Sequence, residues 1–463
     1  MSVIAPRVVI IGWDSAPPSL AFEQFADVMP HFTQFRERGC WGPLRSSHPP
    51  ITVPAWCSMT SSKNPGRLGF YGFRNRRQGG YDTNWIATAA AVHEPRIWDI
   101  LSAQGRTVCI HGVPQTYPVK PVNGAVVADF LTPSTDSEFT YPASLKDELN
   151  AACSGYLIDV DHFRTEDKAA LLDQIYRVTA KHHQAVLHLL NKQPWDFFMS
   201  VEMGPDRLQH AFWKYCDPLH PKYEAGNPFE SALRDYYAYL DGQLGEVLNK
   251  VGEDAVVMVV SDHGAKAMKG SLNLNDYFIQ QGLLTLNQEV APGSRLDPNV
   301  IDWSRTRAWA WGGYYSRVFL NVAGREPQGT IPAADYEQVR EEIAELIRAI
   351  PDDQGRPMAT QVHRPQELFT GPYVEEAPDL FVYLDDLSWR AGQDLNNAEL
   401  YSFDTEIGPD DAVHDHQGIF AMAGPGVASA GELTGLQLMD VAPTALQHLG
   451  VTPPADMEGH AVS

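Results

Sequence analysis

The sequence predicts an α/β fold with a mostly parallel sheet sandwiched by helices. Short apolar runs bounded by turn residues alternate with longer amphipathic stretches, which is the pattern of parallel strands connected by helices. Several of these runs end in polar residues, as strands do where their carboxyl ends form a site. The chain has 463 residues, 44% hydrophobic and 20% charged, which is typical of a folded protein with a large core.

Strand-length runs and helical stretches can be placed along most of the chain. The predicted strands cover residues 8–13, 107–110, 125–130, 196–201 and 255–260, with residues 381–384 and 419–423 as further candidates. The predicted helices cover residues 30–38, 97–104, 166–191, 229–251, 336–350 and 439–449. Helices that follow strands in this way connect parallel neighbours in a sheet.

An inserted accessory module is predicted between residues 288 and 410. A turn-rich stretch at residues 291–298 opens this interval, and an irregular acidic region from residue 385 to about residue 411 closes it. We therefore expect a core built from residues 1–287 and 411–463, with residues 288–410 as an accessory or cap module.

The net charge of −23 limits the partners that the protein can have. Nucleic acids and anionic membranes favour basic surfaces, so this charge argues against both as partners. It does not oppose a small anionic substrate, because bound metal ions can reverse the sign of the charge at a site. The sequence leaves the oligomeric state open.

Several features of the sequence predict a cytoplasmic protein. No apolar run approaches the roughly 20 residues of a membrane span. The N-terminal residues enter a strand-like run almost at once, without the apolar region and cleavage site of a secretory leader. The five cysteines are scattered and form no Cys-x-x-Cys pair, which suits a reducing compartment.

Asp206 and His210 form the first candidate pair of metal ligands. They are four residues apart, so a helix that begins at Pro205 would place both side chains on one face, where they can share one metal ion. The alternative is an Asp that caps the helix, followed by an unrelated surface His.

Asp262 and His263 form the second candidate pair. They follow a very apolar run and precede Gly264. Adjacent residues point to opposite faces of a strand, so they can converge on a metal only in a turn, which the glycine permits. The alternative is the ordinary polar end of a strand.

Two further candidate sites lie near the ends of the chain. Asp14 follows the first predicted strand, where it could bind a divalent ion or cap the next helix. His414 and His416 precede the last predicted strand, where a histidine could be a ligand or lie in a solvated loop.

Thr52 is the candidate nucleophile. It lies between prolines, ahead of a helix-like run, so its hydroxyl would be at a helix N-terminus, where backbone N–H groups favour an anion. A neutral Thr is a poor nucleophile, but coordination to a metal lowers the pKa of its hydroxyl and makes an alkoxide accessible. The alternative is a Thr that only caps the helix.

In their order along the chain, these residues resemble the motifs of the alkaline phosphatase superfamily, and most closely those of its type I phosphodiesterase/nucleotide pyrophosphatase branch. The motifs that carry the resemblance are Asp14 after the first strand, Thr52-Val53-Pro54 for the family's Thr-x-Pro, Pro205-Asp206…His210 for its Pro-Asp-x-x-x-His, Ser261-Asp262-His263-Gly264 for its Ser-Asp-His-Gly, and His414…Gly418 for its last ligand. Gly324-Arg325 and Ala377-Pro378-Asp379 resemble segments of a bacterial subgroup of predicted phosphohydrolases or phosphomutases.

The resemblance implies a two-metal phosphoesterase. Zinc is the expected metal, with manganese or iron as alternatives, since carboxylates and imidazoles accept all three. Two ions roughly 4 Å apart would clamp the attacking and leaving oxygens of an in-line displacement. By resemblance, Asp206, His210 and His414 would hold one ion, and Asp14, Thr52, Asp262 and His263 would hold the other.

The expected reaction is hydrolysis of a phosphodiester or phosphoanhydride in a small phosphorylated substrate, through a covalent phosphothreonine at Thr52. The first alternative is a phosphomonoesterase or phosphomutase on the same scaffold. A catalytically inert binding protein is the second alternative, but none of the seven expected ligand and nucleophile positions is missing. A sulfatase is disfavoured because Cys57 lacks the Cys-x-Pro-x-Arg context of that class.

The chain departs from the family pattern at positions that would contact substrate. Leu68 replaces the His of Pro-x-x-His-Gly, and Phe73 stands where the family places an Asn that holds a phosphate oxygen. Arg74 and Asn75 lie nearby, and we expect them to bind substrate instead; the alternative is that this basic cluster is a solvated loop. For the last metal ligand we favour His414, and His416 is the alternative.

Overall fold

A central sheet organises the computed structural model, which describes residues 7–397 and 399–462. In this part of the chain the sheet has ten strands: β1 (Arg7–Trp13), β2 (Cys40–Arg45), β3 (Val108–His111), β4 (Gly124–Val127), β5 (Thr140–Tyr141), β6 (Phe197–Glu202), β7 (Ala255–Val260), β8 (Gln417–Ala423), β9 (Gly431–Glu432) and β10 (Leu436–Gln437). Residues 1–6, 398 and 463, which belong to the predicted core and module, lie outside the described residues.

The sheet is mostly parallel, as the sequence predicts. Its strand order is β9-β2-β8-β7-β1-β6-β3-β4-β5, and β10 also pairs with β2. The neighbours β7, β1, β6, β3 and β4 are parallel to one another. β8 is antiparallel to both β7 and β2, and β5 is antiparallel to β4. β1 is central, with Ile10 opposite Met199 of β6 and Met258 of β7.

Helices cover both faces of this sheet. The helices of the described residues, some of which pack outside this sheet, are α1 (Pro30–Glu37), α2 (Thr52–Ser61), α3 (Pro65–Leu68), α4 (Ile97–Ala103), α5 (Leu145–Ala152), α6 (Lys168–Lys192), α7 (Gly204–Cys216), α8 (Ala232–Val251), α9 (Leu274–Gln280), α10 (Tyr336–Arg348), α11 (Pro365–Leu368) and α12 (Val441–His448). None of these described helices is both long enough and apolar enough to cross a bilayer.

The alternation of side chains along β1 explains the two layers of helices. Successive residues of a strand face opposite sides of its sheet. Val9 and Ile11 belong to an apolar cluster with α1, α5, α6, α7 and α8, whereas Val8 and Ile10 belong to another with α2, α4 and α12. Burial on both faces is why this strand is a continuous apolar run in the sequence.

Smaller sheets lie outside the central one. The interval 288–410 contains a four-stranded antiparallel sheet, in the order Ala308–Trp311, Ser316–Leu320, Leu380–Tyr383, Gln361–His363, and α10 packs into its apolar core. That core also includes Leu274 and Phe278 of α9, which precede residue 288. The boundaries of the predicted module therefore stay a prediction.

Three more small sheets are built from short strands. Arg74–Arg76 pairs with Asn84–Ile86, Ser294–Arg295 with Asp394–Leu395, and Gly270–Leu272 with both Trp389–Ala391 and Tyr401–Ser402. A further pair, Gly264–Ala267 with Ala412–Asp415, lies at the candidate site and is described below.

Strand β2 is the main element that the sequence analysis missed. It contains Gly42 and Pro43, which are both unfavourable inside a strand. On one side it pairs with β8 along its whole length, but on the other its partner is divided into β9 at one end and β10 at the other. The outer ladder is thus interrupted around the glycine and the proline, which makes them tolerable here.

Candidate active site

The candidate ligands follow three neighbouring strands of the sheet. Asp14 follows β1, Asp206 lies in the first turn of α7 after β6, and Asp262 and His263 follow β7. These strands are parallel, so their carboxyl ends meet at one edge, where ligands bind in sheets of this type. Residues far apart in sequence therefore come together at one edge of the sheet.

Asp206, His210 and His414 form the first cluster. Nε2 of His210 is 3.3 Å from Oδ1 of Asp206 and 3.3 Å from Nε2 of His414. Nε2 of His414 is 3.7 Å from the same carboxylate oxygen. All three side chains are buried, and one possible ligand atom from each lies within 4.8 Å of the other two. The i,i+4 spacing on α7 produces the geometry that the sequence predicts for this pair.

Asp14, Asp262 and His263 form the second cluster, with Thr52 beside it. Nε2 of His263 is 3.2 Å from Oδ2 of Asp262 and 3.7 Å from Oδ1 of Asp14. Oγ1 of Thr52 is 3.4 Å from the same ring nitrogen. The three ligand residues are buried, and their ligand atoms also lie within 4.8 Å of one another.

A short antiparallel strand pair brings the two clusters side by side. Gly264–Ala267 pairs with Ala412–Asp415, so that Ala265 lies opposite His414. The imidazole rings of His263 and His414 stack with centroids 3.9 Å apart. Gly264 is required here because an added Cβ would lie 2.1 Å from the carbonyl oxygen of Gln417. Close backbone approach, rather than turn geometry, is thus the reason for this glycine.

Each of the three carboxylates has one oxygen bound to protein and one facing its cluster. Oδ2 of Asp14 accepts from the indole N–H of Trp56 at 2.6 Å, and Oδ2 of Asp206 accepts from Arg207 at 2.8 Å. Oδ1 of Asp262 accepts from the backbone N–H of Ser15 at 3.3 Å. Among the described residues, no group donates a hydrogen bond to the second oxygen of any of them, although all three atoms are buried. Such atoms need a partner.

The histidines also direct acceptor atoms into the clusters. The Nδ1 atoms of His263 and His414 lie 3.0 Å and 2.8 Å from the carbonyl oxygens of Gly264 and Pro50. A carbonyl oxygen only accepts, so each Nδ1 carries the hydrogen and each Nε2 presents a lone pair. Converging carboxylate oxygens and imidazole lone pairs fit a divalent cation in each cluster.

The electrostatics of the second cluster favour a cation as well. Burial raises the pKa of Asp14, and the charge of Asp206 raises it further. Burial, followed by the charge of Asp14, raises the pKa of Asp262. Burial lowers the pKa of His263 to about 4, so this imidazole is neutral. The second cluster thus holds two crowded carboxylates and has no cationic side chain among its three members. A bound positive ion would stabilise such a cluster.

The first cluster differs because its carboxylate already has cationic neighbours. Burial alone would raise the pKa of Asp206, but His210 and then Arg207 outweigh burial and lower it. Burial alone would lower the pKa of His210, but Asp410 and Asp206 outweigh burial and raise it to about 10. The negative charge that favours a proton on His210 also attracts a metal cation.

Thr52 is the first residue of α2, as the sequence predicts. The side chain of Thr52 is buried. Because α2 begins at Thr52, the first backbone N–H groups of the helix have no partner within it and are directed toward the candidate site. Backbone N–H groups at a helix N-terminus bind anions such as phosphate. The hydroxyl of Thr52, which lies beside the second cluster, and these donors are thus together at the N-terminal end of α2.

Trp56 is a site residue that the sequence analysis missed. It lies one turn after Thr52 on α2, so both point to the same face of the helix. Gly12 makes room for the indole, because an added Cβ would lie 2.4 Å from the ring. The sequence offered one signal for Trp56, namely its spacing of four residues from Thr52 on a run with few other polar groups.

The remaining candidates lie outside both clusters. Nε2 of His416 is 3.2 Å from Oδ1 of Asp386 rather than near the other ligands. The side chain of Arg74 is exposed. Asn75 is buried, and its amide accepts from the backbone N–H of Tyr71 at 2.7 Å and donates to the carbonyl of Gly72 at 2.9 Å. A role of Arg74 and Asn75 in binding substrate stays a prediction.

Comparison with known proteins supports the motif analysis. Residues 8–410 match the family described as type I phosphodiesterase / nucleotide pyrophosphatase. No curated protein sequence matches the chain. Among solved structures, human ectonucleotide pyrophosphatase / phosphodiesterase 5 shares the fold, with a TM-score of 0.55 and 12% identity over 99% of this chain and 97% of that one. The family match covers most of the sequence, and the chain therefore belongs to the type I phosphodiesterase/nucleotide pyrophosphatase family of metal-dependent hydrolases.

Proposed function

We propose that the protein hydrolyses a phosphodiester or phosphoanhydride bond with two divalent cations and with Thr52 as nucleophile. One observation carries the proposal: three unpartnered carboxylate oxygens and the Nε2 atoms of the histidines converge in two adjacent clusters, and the hydroxyl of Thr52 lies 3.4 Å from Nε2 of His263 in the second. The family match supports the same reaction class.

The donor sets indicate which residues would hold the cations. Asp206, His210 and His414 would hold one, and Asp14, Asp262 and His263, with Thr52, would hold the other. Carboxylates with imidazoles favour zinc, with manganese or iron as alternatives. When bound, such ions lower the pKa of a coordinated hydroxyl and neutralise charge on a leaving oxygen.

Thr52 and its helix account for the bond-making steps. Oγ1 of Thr52 attacks phosphorus, forming a Thr–O–P bond as the bond to the leaving oxygen breaks. The hydroxyl proton of Thr52 passes to that oxygen, which departs as an alcohol or phosphate. The backbone N–H groups of the first turn of α2 bind non-bridging phosphoryl oxygens. Water then attacks the phosphothreonine, which releases the phosphorylated product and restores the hydroxyl with a proton from that water.

The properties of Cys57 argue against the sulfatase alternative. Cys57 is buried on the same helix, and burial raises the pKa of its thiol to about 12. A thiol of that pKa is inert at neutral pH.

We also propose a cytoplasmic location. Among the described residues, all five cysteines are unpaired, which agrees with that location.

A substrate comparison tests the proposed reaction. The protein, stripped of metal and reloaded with zinc, manganese or iron, is assayed with bis-(p-nitrophenyl) phosphate and with p-nitrophenyl phosphate. We expect faster turnover of the diester and no turnover of either compound before reloading. Preference for the monoester would favour the phosphomonoesterase or phosphomutase alternative. No turnover of any phosphoester by protein that holds two ions would favour the binding-protein alternative.

A further inference from the structure

We propose that Asp410 is a positioning residue that fixes His210 as an Nε2 ligand, and that Tyr314 and Arg164 hold Asp410 in place. The inference rests on the proposed metal centre at His210. It adds residues that none of the sequence motifs contains, and it assigns a role to the acidic end of the interval 288–410.

Asp410 is buried and both of its oxygens are used. Oδ1 lies 2.8 Å from Nδ1 of His210. Oδ2 accepts from the hydroxyl of Tyr314 at 2.8 Å and from Nε of Arg164 at 3.2 Å. Arg164 also donates to the hydroxyl of Tyr314 at 2.7 Å. A carboxylate bound from both sides, one of them a guanidinium, is ionised and has a fixed orientation.

This arrangement determines which nitrogen of His210 faces the cluster. Nδ1 also lies 3.1 Å from the carbonyl oxygen of Ala412 and 3.2 Å from the hydroxyl of Tyr314. Neither that carbonyl oxygen nor an ionised Asp410 can donate, and the hydroxyl of Tyr314 donates its hydrogen to Asp410. Nδ1 therefore carries the hydrogen, and Nε2 is directed at Asp206 and His414. An imidazole whose N–H is bound by a carboxylate is a stronger metal ligand through its other nitrogen.

His210 is distinguished from the other two histidines by this partner. Nδ1 of His263 and Nδ1 of His414 each face a backbone carbonyl, whereas Nδ1 of His210 faces a carboxylate as well. The first cluster has only one carboxylate, Asp206, and Arg207 already forms an ion pair with it. Asp410 therefore adds a negative charge next to the first cluster, which has one carboxylate where the second cluster has two.

Tyr314 couples the two imidazoles of the first cluster. Its ring stacks on His210 and on His414, with centroids 4.6 Å and 4.3 Å apart. Its hydroxyl donates to Asp410, so one side chain restrains both rings and the carboxylate behind one of them. Tyr314 and Asp410 both come from the interval 288–410, which therefore contributes directly to the first cluster.

Metal affinity of the full-length protein tests the proposal. Metal-free protein is titrated with zinc against a chromophoric chelator, for wild type and for Asp410→Asn. We expect wild type to bind two ions and the variant to bind one of them about 10- to 100-fold more weakly. Asp411→Asn is the matched control, because this neighbouring buried carboxylate faces Lys214 rather than His210, and it should leave both affinities unchanged.

A spectroscopic measurement separates positioning from a loss of structure. In ring-¹⁵N-labelled, zinc-loaded protein, wild type should give a His210 signal with a protonated Nδ1 and a metal-bound Nε2, and Asp410→Asn should lose or shift it while the other histidine signals stay. Tyr314→Phe keeps the ring stacking and removes only the hydroxyl, so we expect a smaller, about two- to tenfold, loss of affinity. This variant decides the matter if Asp410→Asn does not fold.

The outcomes distinguish this inference from the proposed function. If wild type binds two ions and both Asp410→Asn and Tyr314→Phe bind them with wild-type affinity, the role of Asp410 is wrong and the metal centre stands. If wild type binds no ion at the first cluster, the proposed metal centre is wrong, and the inference fails with it.

Discussion

The indole N–H of Trp56 donates a hydrogen bond of 2.6 Å to Oδ2 of Asp14. Trp56 lies one helical turn after Thr52, so α2 carries both the proposed nucleophile and the group that orients a carboxylate of the second cluster. The distance between hydroxyl and carboxylate is therefore set by a rigid helix rather than by a loop. This relationship makes Trp56 a target for mutation.

Trp56→Phe should weaken both stability and metal binding. Phe retains most of the buried apolar surface but cannot donate to Asp14, which leaves a buried charged oxygen without its partner. We expect the free energy of unfolding to fall by about 1–3 kcal/mol, measured by denaturant titration, and zinc affinity to fall with it. Trp98→Phe is the control, since Trp98 is also buried but lies in the α4 part of the core. Equal effects of the two variants on zinc affinity would contradict the orienting role.

Thr52→Ala should abolish turnover while leaving metal content largely intact. The hydroxyl forms the covalent bond to phosphorus in the proposed reaction, so its loss should lower kcat by at least about a thousandfold. Hydrolysis of bis-(p-nitrophenyl) phosphate and elemental analysis measure the two effects separately. Thr60→Ala removes a buried hydroxyl from the same helix that bonds only to backbone carbonyls, and it should keep its activity. Retained turnover in Thr52→Ala would remove Thr52 from the nucleophile role.

His414→Ala and His416→Ala should differ in metal content. His414 lies 3.3 Å from His210 in the first cluster, whereas His416 contacts Asp386. We expect His414→Ala to lose one of two zinc ions per chain in elemental analysis after dialysis, and His416→Ala to keep both. The reverse pattern would mean that the alternative ligand is the correct one.

Glu326→Gln should destabilise the protein through a buried ion pair. Arg76 pairs with Glu326 at 2.9 Å, and their side chains are 4% and 0% exposed. Removing one charge leaves the other buried and unpaired, which costs about 3 kcal/mol in the free energy of unfolding. Glu341→Gln, in the exposed pair with Arg348, is the control and should cost less than about 1 kcal/mol. A similar small change in both variants would contradict the role of the buried pair.

This ion pair also explains motifs that the predicted mechanism leaves without a role. Arg325, next to Glu326, forms hydrogen bonds of 2.7 and 2.8 Å to Asp379, so the Gly-Arg and Ala-Pro-Asp segments are joined in one network. Through Arg76, the network reaches the basic cluster at residues 74–77. Arg76 itself is buried in this ion pair, whereas the substrate-binding role predicted for Arg74 and Asn75 stays a prediction.

The parallel sheet and the single pairs of candidate ligands could be predicted because their signals are local, whereas the grouping of the pairs into two clusters came from the family resemblance. A strand buried on both faces must be a continuous apolar run, and polar residues at its carboxyl end are visible beside it. The i,i+4 spacing of Asp206 and His210 is likewise a property of one helix. The family match to residues 8–410 confirms the resemblance on which the grouping of these residues was based.

The partners behind the ligands could not be predicted because they depend on tertiary contacts. Asp410 reaches His210 across 200 residues, and Tyr314 reaches it across 104. Asp410 stands in an acidic stretch in which nothing local separates it from its neighbours. Strand β2 was hidden for a related reason, because its Gly42 and Pro43 are acceptable only where the neighbouring strand is interrupted.

The pairing of Gly264–Ala267 with Ala412–Asp415 has a consequence for protein synthesis. A ribosome delivers the chain from its N-terminus, so the segment that carries His414 emerges well after Asp206 and His210. Until then one cluster lacks a ligand, and β8, which lies between β2 and β7, has not entered the sheet. A cation at the proposed first cluster would therefore gain its third ligand only after residue 414 has been translated, and truncated products that end before residue 412 should bind metal weakly there.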